Sequence, residues 1–324
     1  MLFELDDSIF ETSLATDLAK LFNVGAHPLH RVLLSNTVLG GVANWWIDRQ
    51  SPEMAAEIRE VLDESEKLEL EPSAIKWLVA QNSGNRSRIS LKSALELMQV
   101  PLEIHVENKS SDSGFLLAMM TSEQRAKVQR YLAEDIVHFI HGGGSTLKTN
   151  IEGLPADVVR NTKRMALFDS DSLLPGSTDG KALALQQACQ DRSISSHCLT
   201  RRAAENYLSK SQLYYWAKDG PGRGKKAKVD AFFASMNEPQ RHHFRMREGW
   251  DKDQSNSNYK DNQAAIDAFY LDATLHPDWS RLSKGFGSSI RDIFASKAPT
   301  DKEVVTAGIA AEFSSFIAQI FARL

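Results

Sequence analysis

The sequence predicts an α/β protein in which a central parallel sheet is flanked by helical N- and C-terminal regions. Two observations support this prediction. Short β-type runs alternate with helical segments between residues 101 and 217, and apolar residues recur at helical spacing on both sides of that block. Alternation of this kind is typical of right-handed βαβ units. We therefore expect three regions, comprising residues 1–100, 101–217 and 218–324.

The N-terminal region is predicted to be helical. The segments SLATDLAKLF and SPEMAAEIREVLDESEKL place apolar residues three and four positions apart. In the second of these, Ser51 and Pro52 followed by Glu53 form a typical helix start. The segment HRVLLSNTVLGGVANWWIDR is predicted to be a further helix, which Gly40 and Gly41 would kink.

The central region is predicted to contain four strands, and the C-terminal region to be mainly helical. The strands lie in LEIHVE, DIVHFIH, NTKRMALFDSD and ISSHCL. The chain ends in an amphipathic segment, VVTAGIAAEFSSFIAQIFARL, which predicts a helix. Between these, DGPGRGKKAK is a basic, glycine-rich loop, and the polar stretch REGWDKDQSNSNYKDNQ is expected to be the least ordered part of the chain.

Composition limits the classes of partner and compartment. The 324 residues include 38 basic and 42 acidic side chains, a net charge of -4, which argues against non-specific coating of DNA. An enzyme whose metal ions supply local positive charge is not excluded. The two cysteines, Cys189 and Cys198, form neither a CxxC pair nor a zinc spacing. The sequence begins without a signal-peptide pattern and has no long apolar run, so we expect a cytoplasmic protein without a membrane segment.

Acidic residues stand where two of the predicted strands end. Glu107 ends LEIHVE, Asp169 ends MALFD, and Asp171 follows in the turn. Parallel sheets bind ligands at the carboxyl ends of their strands, and residues i and i+2 of an extended chain point to the same side. Carboxylate oxygens are the preferred ligands of Mg²⁺. We therefore predict a divalent-metal site in which these three residues are catalytic, with metal ions activating water and stabilising the leaving oxygen.

Three segments, VENKSSDSGFL, HFIHGGGST and MALFDSD, resemble in this order the TOPRIM domain of topoisomerases, primases and OLD-type nucleases. The resemblance matches Glu107 to the glutamate of that family, Asp112 to its following aspartate, and Asp169 and Asp171 to its DxD motif. Asn108 stands where the family usually has glycine. The resemblance implies a TOPRIM fold, which is a Rossmann-like parallel sheet, and a metal site made of these four carboxylates that holds Mg²⁺ or Mn²⁺.

A further segment, HCLTRRAAENYL, resembles a signature of the OLD-like branch and implies Glu205 as an additional metal ligand. With it, the resemblance covers about residues 101–210, roughly a third of the chain. OLD proteins usually carry an ABC-type ATPase on the same chain, but GPGRGKKA at 220–227 has the wrong spacing for a Walker A loop. The resemblance therefore implies a nucleic-acid endonuclease, an effector of antiphage defence, that works with a separate ABC-type ATPase. Self-association is left open.

Several basic residues are further candidates. Lys284 lies in RLSKGFGSSIRDIF, which resembles the segment with a late catalytic lysine in OLD-like nucleases, where it would balance charge in the transition state. The alternative is a solvated lysine. The glycine-rich loop is either exposed or a phosphate-contacting patch. The patch would consist of Arg223, Lys225, Lys226 and Lys228.

Two other functions compete with the nuclease. An apolar strand followed by DxD also begins haloacid-dehalogenase-type phosphatases, in which Asp169 would be the nucleophile. That class requires Thr or Val where this chain has Ser172, and its strand comes earlier in the fold. The second alternative is a non-catalytic, TOPRIM-derived sensor or binding subunit, for which Asn108 and the acidic net charge argue.

Overall fold

The chain folds into two compact units, each built around a four-stranded parallel sheet. The computed structural model describes residues 1–12, 15–25, 29–35, 41–67, 74–81, 87–306 and 308–324. Unit 1 comprises Met1–Leu102, Asp157–Arg164 and Ser315–Leu324, and unit 2 comprises Glu103–Ala156 and Met165–Ser314. Within these described ranges, no helix is both long and apolar enough to cross a membrane.

The prediction of a purely helical N-terminal region is wrong, because that region contains the sheet of unit 1. Its strands run parallel in the order β2-β1-β3-β4. A short apolar run such as RVLL fits a buried strand as well as a buried helix, and only pairing with other strands decides between them. The predicted kink falls partly outside the described residues, which exclude Gly40. The strands are β1 Leu2–Leu5, β2 Arg31–Leu34, β3 Lys76–Val79 and β4 Arg88–Ile89.

Helices cover the sheet of unit 1, and two of them confirm sequence predictions. Residues 15–22 of SLATDLAKLF and residues 52–67 of SPEMAAEIREVLDESEKL lie in the second and fourth helices, whose apolar residues enter the core of the unit. The helices of this unit before the second sheet are α1 Ser8–Thr12, α2 Ala15–Gly25, α3 Val42–Ile47, α4 Pro52–Lys67 and α5 Leu91–Gln99.

All four strands predicted for the central region are confirmed. They are β5 Leu102–Val106, β6 Val137–His141, β7 Arg164–Phe168 and β8 Ser195–Cys198. Their order in the sheet is β6-β5-β7-β8, so the chain moves to one side of β5 first and then returns to the other side. In open parallel sheets the point where the order reverses leaves a crevice at the carboxyl ends of the strands. Here that point lies between β5 and β7.

The remaining helices confirm a mainly helical C-terminal region. The expectation of low order in REGWDKDQSNSNYKDNQ is wrong, because two helices form there around Trp250, whose ring packs against Tyr259, Tyr270 and Trp279. The further helices are α6 Lys109–Ala118, α7 Ser122–Ala133, α8 Leu147–Glu152, α9 Val158–Asn161, α10 Gly180–Asp191, α11 Lys210–Lys218, α12 Lys226–Ser235, α13 Glu238–His243, α14 Trp250–Gln254, α15 Ser257–Asp261, α16 Gln263–Thr274, α17 Ile293–Ser296, α18 Asp301–Thr306 and α19 Ile309–Arg323.

Candidate metal centre

Two strand ends bring the predicted carboxylates together. Glu107 directly follows β5 and Asp169 directly follows β7, the two strands on either side of the crevice. Both side chains line a cavity of about 170 Å³, together with Asp171 and Glu205. The structure therefore brings together four of the five carboxylates that the sequence suggested as metal ligands.

Asp171 reaches the cavity by a different backbone path from the one expected. We expected an extended chain through Asp169 and Asp171, but Asp171 has a φ of +49°, in the left-handed region. Aspartate tolerates that region better than most residues. The Asp171 N–H donates a hydrogen bond of 2.9 Å to the carbonyl of Arg202, which ties the turn after β7 to the segment after β8.

Glu107 is held through its backbone by the glycine-rich loop after β6. Its carbonyl accepts hydrogen bonds from the N–H groups of Gly143 and Gly144, at 3.1 and 3.2 Å. Burial raises the pKa of Glu107 to about 8, and the negative charges of Asp169 and Asp171 add to the effect. The raised pKa therefore reflects a buried carboxyl with two negative neighbours, and the positive charge of Arg291 offsets only part of the effect.

Asn108, which departs from the glycine of the family, caps the helix that follows. Its side chain accepts a hydrogen bond from the Ser110 N–H at 3.1 Å. Its φ of -130° is open to any residue, so glycine is not needed at this position. Asparagine at this position therefore serves as the cap of α6.

Asp112 lies behind the cavity rather than on its wall. It is buried in the first turn of α6, where one carboxylate oxygen accepts the Asn108 N–H at 2.8 Å. The other oxygen accepts the Ser111 hydroxyl at 2.9 Å. Asp112 is not among the residues that line the cavity. These hydrogen bonds of Asp112 fix the start of α6. Its carboxylate also adds negative charge near the other carboxylates.

The guanidinium of Arg291 contacts this cluster, and we had not predicted Arg291 as a site residue from the sequence. Its Nε donates to Glu205 at 2.6 Å, its Nη2 donates to Asp169, and its Nη1 lies 3.8 Å from an oxygen of Asp112. The second oxygen of Asp169 accepts the Ala204 N–H at 3.1 Å. Burial alone would lower the pKa of the guanidinium, but the carboxylates around it raise the pKa above its ordinary value.

Lys284 lies in the same segment as Arg291 but does not reach the cavity. Its side chain is exposed, and its carbonyl accepts a hydrogen bond from Lys228. Most of the lysines in the predicted basic patch also bind groups outside the cavity. The ammonium groups of Lys225 and Lys228 donate to the carbonyls of Phe286 and Gly285, each at 2.8 Å. These lysines hold the backbone of the segment before Arg291.

Arginines form the opposite wall of the cavity. Arg202 is buried and bonded to both oxygens of Asp253, at 2.7 and 2.6 Å, and Arg245 pairs with Glu248 at 3.2 Å. Arg247 also lines the cavity, and no ion pair is found for it within the described part of the chain. Its buried Nε has no hydrogen-bond partner among the described residues. The alternating arginines of HFRMREGW were the sequence signal for this wall.

The donor chemistry of the cavity fits a hard divalent cation, although the donors are not in place around one. Within the ranges that the structure describes, no group of three or more His, Cys, Asp or Glu side chains is arranged to hold a metal ion. The carboxylates are nevertheless the ligand type that Mg²⁺ and Mn²⁺ prefer. Arg291 lowers the pKa of Glu107, but burial and the neighbouring carboxylates outweigh this effect.

No protein-family model, curated protein or solved structure matches this chain. The fold and the cavity define an α/β protein with a carboxylate cluster at the switch point of a parallel sheet. The chemistry of that cluster is therefore the basis for assigning a function.

Proposed function

We propose that this chain is a metal-dependent nuclease that hydrolyses phosphodiester bonds of nucleic acid with Mg²⁺ or Mn²⁺. One observation carries the proposal: Glu107, Asp169, Asp171 and Glu205 converge in one cavity at the carboxyl ends of β5 and β7. The resemblance to TOPRIM domains singled out three of these residues, Glu107, Asp169 and Asp171, and the signature of the OLD-like branch singled out Glu205. We accordingly propose that unit 2 has a TOPRIM-type fold of the OLD-like branch.

The four cavity carboxylates would hold the metal, and Asp112 would support them from behind. When bound, the metal supplies Lewis-acid polarisation of the phosphodiester and lowers the pKa of an attacking water. The pKa values of Glu107 and Asp169 are both raised towards neutrality, to about 8 and about 7, and of these two only Asp169 is bonded to Arg291 among the described residues. We assign Glu107 as the group that accepts a proton from the attacking water, in the carboxylate form that a bound metal would favour.

The arginine wall would hold the substrate. A guanidinium matches the oxygens of a phosphate with parallel N–H donors. Arg247 suits this role because the described residues leave its side chain without an ion pair. Arg202 and Arg245 are already bonded to carboxylates, so their part would be to keep the wall in place.

The test is cleavage by the purified protein of supercoiled plasmid, single-stranded DNA and RNA, with Mg²⁺ or Mn²⁺ and with EDTA. We expect cleavage of one of these substrates that EDTA abolishes. Glu107→Gln should reduce the rate at least about 100-fold, the scale of a lost acid or base. Arg247→Ala should mainly raise KM, by about tenfold for one charged hydrogen bond.

Matched controls separate the site from the general effects of charge. Asp278→Asn changes an exposed aspartate whose partner is Arg281, and Arg223→Ala removes an exposed arginine of the glycine-rich loop. Neither should change the rate. Cleavage that persists in EDTA, or in Glu107→Gln, would overturn the proposal. If Arg223→Ala raised KM as much as Arg247→Ala does, the glycine-rich loop would also have to be assigned to substrate binding.

We also propose, on the resemblance alone, that an ABC-type ATPase partner controls this nuclease during antiphage defence. The chain expressed alone should then be non-toxic to its host, and co-expression with a triggered partner should be toxic. Rescue of growth by Glu107→Ala would tie the toxicity to the cavity. Full toxicity of the chain by itself would contradict the partner proposal and leave the metal site standing.

A further inference from the structure

The guanidinium of Arg291 is bonded to the carboxylate oxygens that a metal would need. It donates to one oxygen of Glu205 at 2.6 Å and to one oxygen of Asp169. The other oxygen of Asp169 is already bonded to the Ala204 N–H. A metal coordinated by Asp169 and Glu205 therefore cannot bind through these oxygens while Arg291 stays in place.

The backbone around Arg291 is fixed, so its side chain is the part that can move. The preceding segment passes so close to the backbone of Met246 and Arg247 that even a Cβ at Gly285 would lie 2.4 Å from their carbonyl oxygens. After Arg291, the Phe294 ring packs at 5.1 Å on the Phe115 ring of α6. The long arginine side chain reaches from this anchored segment into the cavity, which it lines.

The charges around Arg291 explain why a metal ion would displace its guanidinium from the carboxylates. Asp112, Asp169 and Glu205 surround one guanidinium, and Glu107 and Asp171 lie in the same cluster without an ion pair to it among the described residues. In the metal-free protein, burying these carboxylates without any cation beside them would be strongly unfavourable. A divalent ion and the guanidinium at the same oxygens would repel each other.

We infer that Arg291 is an exchangeable counter-cation, which neutralises Asp169 and Glu205 in the metal-free protein and is displaced from them when the metal binds. This inference rests on the proposed metal site. Arg291 then has two opposite effects. It stabilises the fold before metal is present, and it weakens the apparent affinity for the metal, because each binding event must first break the ion pairs of the guanidinium.

The experiment compares wild type with Arg291→Met, a variant of similar length that lacks the charge. Thermal unfolding in EDTA and Mn²⁺ titration by calorimetry, both without nucleic acid, are the readouts. We expect Arg291→Met to unfold at a lower temperature in EDTA and to bind Mn²⁺ about tenfold more tightly, or about 1.4 kcal/mol. If Arg291→Met does not fold without metal, Arg291→Lys replaces it. That variant keeps the charge but lacks the planar, forked donors with which the guanidinium spans Asp169 and Glu205, so its Mn²⁺ affinity should also rise.

Arg281→Met is the matched control, because Arg281 forms an exposed pair with Asp278 at 2.9 Å in the same part of the chain. Its Mn²⁺ affinity should equal that of wild type. If wild type binds Mn²⁺ and Arg291→Met binds it equally well or more weakly than wild type, the inferred exchange is wrong. The proposed metal site would not be affected by that result. Absence of Mn²⁺ binding in wild type and in both Arg291 variants would overturn the proposed function itself.

Discussion

Glu107 lies at the end of β5 beside two further carboxylates, and its raised pKa gives the metal-free protein a characteristic dependence on pH. The folded chain holds the proton of Glu107 up to about pH 8, whereas an unfolded chain releases it near pH 4.5. The folded state therefore binds more protons in that interval, and its stability falls as pH rises through it. Burial raises the pKa of Asp169 as well, in spite of Arg291, so both residues act in the same direction.

We predict that Glu107→Gln stabilises the metal-free protein at pH 8 while it destroys activity. The amide carries no charge at any pH, so the variant escapes the loss of stability between about pH 4.5 and 8. Its free energy of unfolding at pH 8 should exceed that of wild type by at least about 1.4 kcal/mol, the equivalent of one pKa unit.

Urea denaturation in EDTA at pH 5 and pH 8 measures this effect. At pH 5 the two proteins should differ little. Glu123→Gln, a change at an exposed position of α7, serves as the control and should show no such pH-dependent gain. A Glu107→Gln variant that is less stable than wild type at pH 8 would show that Glu107 is stabilised as a carboxylate, against the prediction.

At the scale of elements, the cavity is closed by two segments that approach each other closely. The segment with Gly285 runs against the backbone before Gly249, and the N–H of Phe286 donates to the Met246 carbonyl at 2.7 Å. This contact joins the segment that carries Arg247 to the one that carries Arg291. Two guanidinium groups of the cavity therefore depend on one place where only glycine fits.

We predict that Gly285→Ala destabilises the protein by about 2 kcal/mol or more and raises the Mn²⁺ affinity of the proposed site, because it displaces the segment that holds Arg291 against the carboxylates. The new methyl group would meet two backbone carbonyl oxygens, which move less readily than side chains. The measurement is the thermal midpoint together with Mn²⁺ affinity. Gly180→Ala is the control, because no described atom lies within 4 Å of a Cβ at the start of α10. A Gly285→Ala protein as stable as Gly180→Ala would refute the close-packing argument.

At the scale of the whole molecule, unit 1 is assembled from three separate parts of the chain. Its last part begins within α19 and contributes buried apolar side chains, including Ile320. The carbonyl of Ala322 accepts the Ile75 N–H at 3.2 Å, and the carbonyl of Arg323 accepts Lys163 Nζ at 2.8 Å. The C-terminal residues are therefore part of the N-terminal fold.

We predict that Ile320→Ala destabilises unit 1, by about 2 to 5 kcal/mol, the usual cost of a large-to-small change in a core. Hydrogen exchange should show that the amides of β1, β2 and β3 lose protection, although these strands are far from Ile320 in the sequence. Ser315→Ala, at an exposed position of the same helix, is the control and should leave protection unchanged. Loss of protection confined to β5–β8 would contradict the assignment of this segment to unit 1.

The four strands of unit 2 and the acidic residues at two of their ends could be predicted from the sequence alone. These features are local, since a strand shows its pattern within a few residues. The meeting of Glu107 and Asp169 follows from them, because neighbouring parallel strands end at the same edge of a sheet. The metal and the nuclease activity inferred from that meeting remain predictions.

The cation that faces the carboxylates and the fold of the N-terminal region could not be predicted from the sequence, because both depend on contacts between distant parts of the chain. Arg291 meets Glu205 and Asp169 across 86 and 122 positions of sequence, and no local pattern marks such an ion pair. The same holds for the N-terminal sheet, whose strands have four residues or fewer. Runs that short acquire their conformation from the hydrogen bonds of their neighbours, which exist only once distant parts of the chain have come together.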